Sequence, residues 1–358
     1  MEKRGVLLIS FLLFVSSILV GCFQGEQTFE EIDVPEETTI IEEDDELALE
    51  DEGELDVGEI EDELETEETV LRELYLIDAD GLVVPQRMEL PKTESAALTT
   101  MQYMVKDGPV TELLPNGFQA VLPANTEILG MNLSEDGTLT IDLSEEFTNY
   151  EAKDEVKILE AITHTMTQFE NIERIKLWIN GEELSEMPVN GTPISSGYST
   201  EKGINVFLDG KPNIHTSKAI TVFYPKQYHE QFYHVPVTQY FDIEDEALYE
   251  KIIESVMNGP SFGVDVAQVF NDGTKLMEKP VLEEGVLQLV FNSAILKDEA
   301  QGIIADEVME TIVKSVTAVE EVEAVDVKVE DQTTIVSESG TAYDRPVTLN
   351  DIRTEEKM

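Results

Sequence analysis

Between residues 71 and 340 two hydrophobic periods alternate along the chain, and the order in which they follow one another occurs twice. Apolar runs at residues 74–77 and 220–224 predict a first strand, and VVP at 83–85 or VPV at 235–237 opens a second. A helical spacing follows, placing Leu98, Met101, Met104 and Val105 on one face in the first case and Leu248, Tyr249, Ile252 and Val256 in the second. Both helices are expected to stop at Gly-Pro, at Gly108-Pro109 and at Gly259-Pro260. Glycine tolerates left-handed geometry there, and proline cannot continue the ladder. Two short strands around 128–133 and 139–143, joined by SEDG at 134–137, read as a hairpin. A second helix aligns Val156, Leu159, Ile162, Met166 and Phe169, with Met166 and Phe169 pointing inward. The closing strand carries Ile175, Leu177 and Ile179 on one side, mirrored by Val325, Val327 and Val329.

The recurrence is close to one offset. YMVKDGP and SVMNGP are 151 residues apart, and LTIDLSEEF from Leu139 precedes LQLVFNSAI from Leu287 by 148. Residues 162–181 lie without a gap over 312–331, which matches Met166 with Val316 and Phe169 with Val319. A period this long marks domain duplication rather than a solenoid. The fold class expected is α+β, as two tandem copies of a small module in which two helices cover one face of a mixed sheet. The copies span 71–190 and 204–340. The Ser-, Pro-, Gly- and Asn-rich join from 185 to 203 reads as a linker, placed at 191–203 between the copies, and 341–358 as a short strand and frayed tail.

Upstream the pattern is different. Lys3-Arg4 precedes an unbroken apolar run from Val6 to Val20, which reads as a secretory signal over 1–21. The run is short for a bilayer span, which needs about 20 apolar residues. The single cysteine, Cys22, cannot form an internal disulfide, and it ends SILVGC, which resembles the bacterial lipobox. Cys22 is therefore the expected lipidation site, anchoring the protein to the outer face of the cytoplasmic membrane. From residue 26 to 68 there are 23 acidic residues and no Lys or Arg, so 22–70 reads as a disordered, self-repelling tether. It reaches at most about 150 Å when taut. A docking site for a basic partner or loosely held divalent cations is the alternative for this run. The net charge of −53 argues against nucleic acid or anionic lipid as partners.

No catalytic, cofactor or metal site emerges from spacing. His164 falls opposite the apolar stripe of its helix and is expected to face solvent, with Lys314 as its counterpart. His229 and His234 lie in YHEQFYH, a Tyr-rich hairpin without the H-E-x-x-H spacing of a zinc site. Asp142, Glu145 and Glu146 could form the carboxylate pair of a glycosidase. The simpler reading has Asp142 on a strand and Ser144 capping a turn that carries the glutamates, and the pair does not recur, since Val290 and Ser293 stand at the matching positions. An enzyme is not expected.

VPQRMELPKTESAALTTMQYMVKDGP, LPANTEILGMNLSEDGTLTIDLSEEF and EAITHTMTQFENIERIKLWINGEEL in the first copy, with VPVTQYFDIEDEALYEKIIESVMNGPS in the second, resemble the GerM domain. This is the sporulation and spore germination module of endospore-forming bacteria. The resemblance implies a fold similar to the ring-building domains of secretion and sporulation channels. It also implies a non-enzymatic envelope lipoprotein whose partners are proteins of a membrane-associated channel or ring complex between mother cell and forespore. The alternative is an accessory lipoprotein that binds or helps process peptidoglycan. Replacing Cys22 with Ala is expected to abolish lipidation and membrane partitioning through the N-terminus; unchanged entry into a detergent phase would disprove the anchor.

Overall fold

Each half of the molecule opens with a long hairpin that a later helix closes over. Thr69–Ile77 (β1) pairs antiparallel with Val83–Pro91 (β2), and Ser217–Tyr228 (β8) with Gln231–Asp242 (β9). The computed structural model describes residues 68–208, 215–229, 231–242, 247–260 and 265–355, all within one unit, Leu64–Met358. Between the hairpins lie Ala96–Gln102 (α1), Ile128–Leu133 (β3), Thr138–Leu143 (β4), Glu155–Met166 (α2), Arg174–Ile179 (β5), Glu182–Glu183 (β6) and Tyr198–Ser199 (β7). After the second hairpin come Leu248–Asn258 (α3), Val281–Glu283 (β10), Val286–Phe291 (β11), Leu296–Asp298 (β12), Ile303–Ile304 (β13), Asp306–Val316 (α4), Ala324–Val329 (β14) and Leu349–Glu355 (α5).

The same mixed sheet recurs. β3 runs antiparallel to β4, and β4 parallel to β5, with Leu139 opposite Ile175; β10 runs antiparallel to β11, and β11 parallel to β14, with Leu287 opposite Val325. Parallel neighbours need a crossover, and α2 and α4 supply it. Each crossover helix also satisfies a backbone donor of its hairpin. The N–H of Tyr75 donates to Thr165 Oγ1 at 3.0 Å, and that of Phe223 to Ser315 Oγ, also at 3.0 Å. Both hydroxyls are fully buried, so an orphaned amide there would be costly. Gly137 and Gly285 occupy equivalent turns at φ +77° and +80°, each carbonyl accepting two N–H groups from the start of the parallel neighbour strand, β5 or β14. A Cβ on Gly137 would stand 2.8 Å from the Glu173 side chain.

Several expectations are corrected. The hairpins are separate two-stranded sheets, and β1 makes a β-bridge to the rest of its copy between Ile77 and Gln119. The first helix ends at Gln102, well short of Gly108, because Val105 turns into a bridge with Leu122 and Asp107 takes the left-handed φ of +59°. In the second copy α3 does run to Asn258 and stops at Gly259, φ +74°. Val156 is 41% exposed, and Ile158 is buried instead, since α2 lies between hairpin and sheet and buries a broad arc rather than one stripe. Met166 is buried, whereas Phe169 is only partly so, with the Arg72 guanidinium 5.1 Å above its ring.

The segments read as linker and tail are the closing elements of the two copies. Within 191–203, β7 pairs with β5 through Ile175 and Tyr198, and Ile194 is buried. Within 341–358, Val347 forms the equivalent bridge to Val325, and α5 buries Ile352. Turns match too, Met187 N–H bonding Thr192 O and Ser337 N–H bonding Thr341 O. In the first copy Glu155 holds this segment in place, accepting from Val189 N–H, Asn190 N–H, Tyr150 Oη and both the N–H and hydroxyl of Thr192 at 2.6–3.1 Å. Burial pushes its carboxyl up, but these donors outweigh burial and hold it below its ordinary value. Polar, glycine-containing composition mimics a linker because these residues make turns, while one or two apolar residues do the docking. Ile352→Ala is accordingly expected to cost about 2–4 kcal/mol in urea denaturation, against almost nothing for a frayed tail.

Candidate functional site at the junction between the copies

The strongest concentration of buried polar chemistry lies where the copies meet. Asp78 follows β1, and its Oδ1 accepts from Asp80 N–H at 3.0 Å and Leu82 N–H at 2.9 Å, shaping the turn that Gly81 completes at φ +80°. Its Oδ2 is thereby aimed at the second copy, where it accepts from Lys226 Nζ at 2.7 Å and Tyr233 Oη at 3.1 Å. Lys226 also donates to Asp80. Lys226 is 5% exposed and Asp78 2%. Burial pulls the Lys226 ammonium down, but its hydrogen bonds and charge pairing with Asp78 and Asp80 outweigh burial and raise it above its ordinary value. Phe118 packs edge-on against Tyr233 with centroids 5.0 Å apart.

Asn205 makes a second clamp. Its Oδ1 accepts from Val83 N–H at 2.9 Å, and its Nδ2 donates to Val83 O at 2.7 Å and Pro236 O at 2.8 Å. One side-chain amide thus replaces the missing peptide pairing between β2 and β9. The Asn205 N–H donates to Glu160 Oε2 at 3.2 Å. Glu160 is buried on α2, and burial pushes its carboxyl up to about 7, with Asn205 and Lys157 opposing.

One turn further along α2 stands His164, and here the sequence expectation fails. His164 is half-buried, its ring 5.1 Å from that of Tyr75, and its Nε2 is buried with no hydrogen-bond partner. Burial holds it down to about 4, with only a backbone bond at Gly203 acting the other way. The position opposite the apolar stripe faces the chain segment that enters the second copy, which helical periodicity cannot reveal.

The junction opens on one side into a groove of about 700 Å³, between the hairpins and α4, bordered by Glu73, Arg87, Phe232, His234, Glu310 and Lys314. His234 is buried, its Nε2 2.9 Å from Thr311 Oγ1 and its Nδ1 3.2 Å from Lys314 Nζ, which also donates to Glu310. Burial, and then the Lys314 charge, pull it well below the usual histidine range. His229 stands exposed at the hairpin turn against Tyr228, so the two histidines of YHEQFYH share no site. Among the described residues no group of three or more His, Cys, Asp or Glu could hold a metal ion.

Asp142 lies on β4, as expected, and its Oδ1 accepts from Gly181 N–H at 3.0 Å, in the turn after β5. Ser144 sits at the N-terminus of the short helical turn Glu145–Thr148 but does not cap it. Its hydroxyl accepts from Glu127 N–H at 3.0 Å, and its bond to Glu146 lowers that carboxyl. Cys22 and the signal lie outside the described residues, as does the acidic run from 26 to 67. No described helix is long and apolar enough to cross a membrane.

Fold and site together define a duplicated α+β protein whose copies are held by a buried polar clamp. The chain belongs to the Germane family of sporulation and spore germination, whose model matches residues 73–185 and 221–334. It is 37% identical over 356 residues to the spore germination protein GerM of Bacillus subtilis (strain 168), with 97% of each covered. Its fold is similar to the solved tandem GerMN domains of the sporulation protein GerM from Bacillus subtilis, with TM-score 0.70 and 41% identity over 78% of this chain and 98% of that one. The first GerMN domain of the same protein, solved separately, is 55% identical over 37% of this chain and 98% of that one, with TM-score 0.36. Both family matches end before the closing elements of their copies.

The clamp carries a pH dependence. Glu160 has a raised folded value, so its contribution to stability is complete below the ordinary glutamate range and is lost as pH rises through about 7. Glu160→Gln is expected to match the wild type near pH 5 and to exceed it by about 1–3 kcal/mol near pH 8. Urea titrations of both proteins across that range test this, a constant difference being the contrary result.

Proposed function

We propose that this protein is a non-enzymatic, lipid-anchored envelope adaptor that assembles with or stabilises a membrane-associated channel or ring complex between mother cell and forespore. Family membership supports the sporulation or germination setting. The observation that carries the reading further is the junction: Lys226, Asp78 and Asn205 join the copies through buried polar contacts. Two modules held this way offer a partner two surfaces at one spacing, which suits a scaffold. The acidic run upstream and Cys22 would confine these surfaces near the membrane and raise their effective concentration there. The deeply buried histidine, carboxylates and lysine have structural partners, as expected of a clamp rather than a reaction centre.

Crosslinking of the full chain in sporulating cells, followed by mass spectrometry, is expected to recover a membrane-embedded sporulation protein, while purified peptidoglycan sediments without the chain. Strong co-sedimentation with cell wall, and no crosslinked protein, would replace this reading with the peptidoglycan-binding one.

A further inference from the structure

The main sheet of the first copy has one long edge that pairs with no other strand among the described residues. β3 is terminal in the order β3-β4-β5-β6. Ser134 N–H bonds Thr138 O at 2.9 Å, and Asn132 and Gly130 face Thr140 and Asp142 in the same phase. Hydrogen-bonded pairs alternate along an antiparallel ladder, so the N–H and C=O of Met131 and Leu133 point away from β4. No described residue takes them. Leu129 is 49% exposed and Leu133 43%.

Edges of this kind are normally blunted by charge, proline or brevity. The other edges here are. β10, the equivalent strand of the second copy, has three residues, follows Lys279-Pro280, ends at Glu283 and is followed by Glu284. β6 has two residues, both glutamate. β3 has six, ILGMNL, with no charge and no proline.

Charge appears only at its ends. Glu127 precedes the strand, and Glu135 and Asp136 follow it, all exposed. A second copy of this chain is a poor occupant. Antiparallel self-pairing centred on Met131 would set Glu127 against Glu135, and a chain of net charge −53 repels itself. The geometry points to β3 as a strand-addition edge that takes an extended segment of another protein, apolar at alternate positions and basic at both ends. Backbone pairing with Met131 and Leu133 would supply affinity, and the flanking acids the register. This deepens the assembly reading, and rests on it, by naming the surface that receives the partner.

The full mature chain, titrated with the synthetic peptides KKVTVTVKK and EEVTVTVEE, tests the edge by fluorescence anisotropy and amide hydrogen exchange. The lysine-flanked peptide is expected to bind at least about tenfold more tightly than the glutamate-flanked one, with a strong salt dependence. It should slow exchange at Met131 and Leu133, and Leu133→Lys, an exposed substitution that leaves the fold intact, should weaken it by about tenfold. Met131→Pro, which removes an outward N–H, gives the same loss if it folds. Failure of the lysine-flanked peptide to bind, equal binding of both, or indifference to Leu133→Lys overturns the proposal. So does protection of the same amides on concentrating the chain alone, which would assign the edge to a second copy. In sporulating cells, a partner crosslinked equally to wild type and Leu133→Lys overturns the edge but leaves the assembly reading standing. Absence of any protein partner overturns the assembly reading, and the peptide titration then decides the edge by itself.

Discussion

The ammonium of Lys226 is buried where the two copies meet, and the arrangement of the halves depends on how that charge is met. Desolvating a lysine costs several kcal/mol, so the position is tolerable only with Asp78 and Asp80 held opposite. Asp78 can serve because its other oxygen is already committed to the turn it begins. The ion pair therefore specifies more than it stabilises, since a different placement of the hairpins would strand a charge. Asn205 adds a second point of reference on the same interface, bonding Val83 of one hairpin and Pro236 of the other.

Duplication has preserved the backbone scheme and changed the chemistry. Thr165 and Ser315 accept the equivalent hairpin amide, and Gly137 and Gly285 make the equivalent turn. At the next outward position of the helix the copies part. His164 is pressed against Tyr75 and the entry to the second copy, whereas Lys314 reaches His234 and Glu310 beside a groove. The first copy covers that helix face with its neighbour; in the second the same face borders the groove. The edge strands differ in the same way, β3 uncharged and β10 short and guarded.

The sequence by itself determined the duplication, the strand–helix order, the SEDG hairpin and the inward faces of the closing strands. These rest on local periodicity and turn chemistry, which neighbouring residues settle among themselves. It also carried the family, through contiguous motifs in both copies. Tertiary structure alone decided that the polar join and tail are closing elements, because a single docked Ile194 or Ile352 leaves no periodic trace. It alone decided that His164 is covered, since the surface covering it comes from Tyr75 and Gly203, and a helical wheel contains no information about a neighbour. Lys226 and Asp78 are 148 residues apart and unremarkable singly; only the folded pairing of one turn with one strand turns two common charges into the clamp that positions the rest.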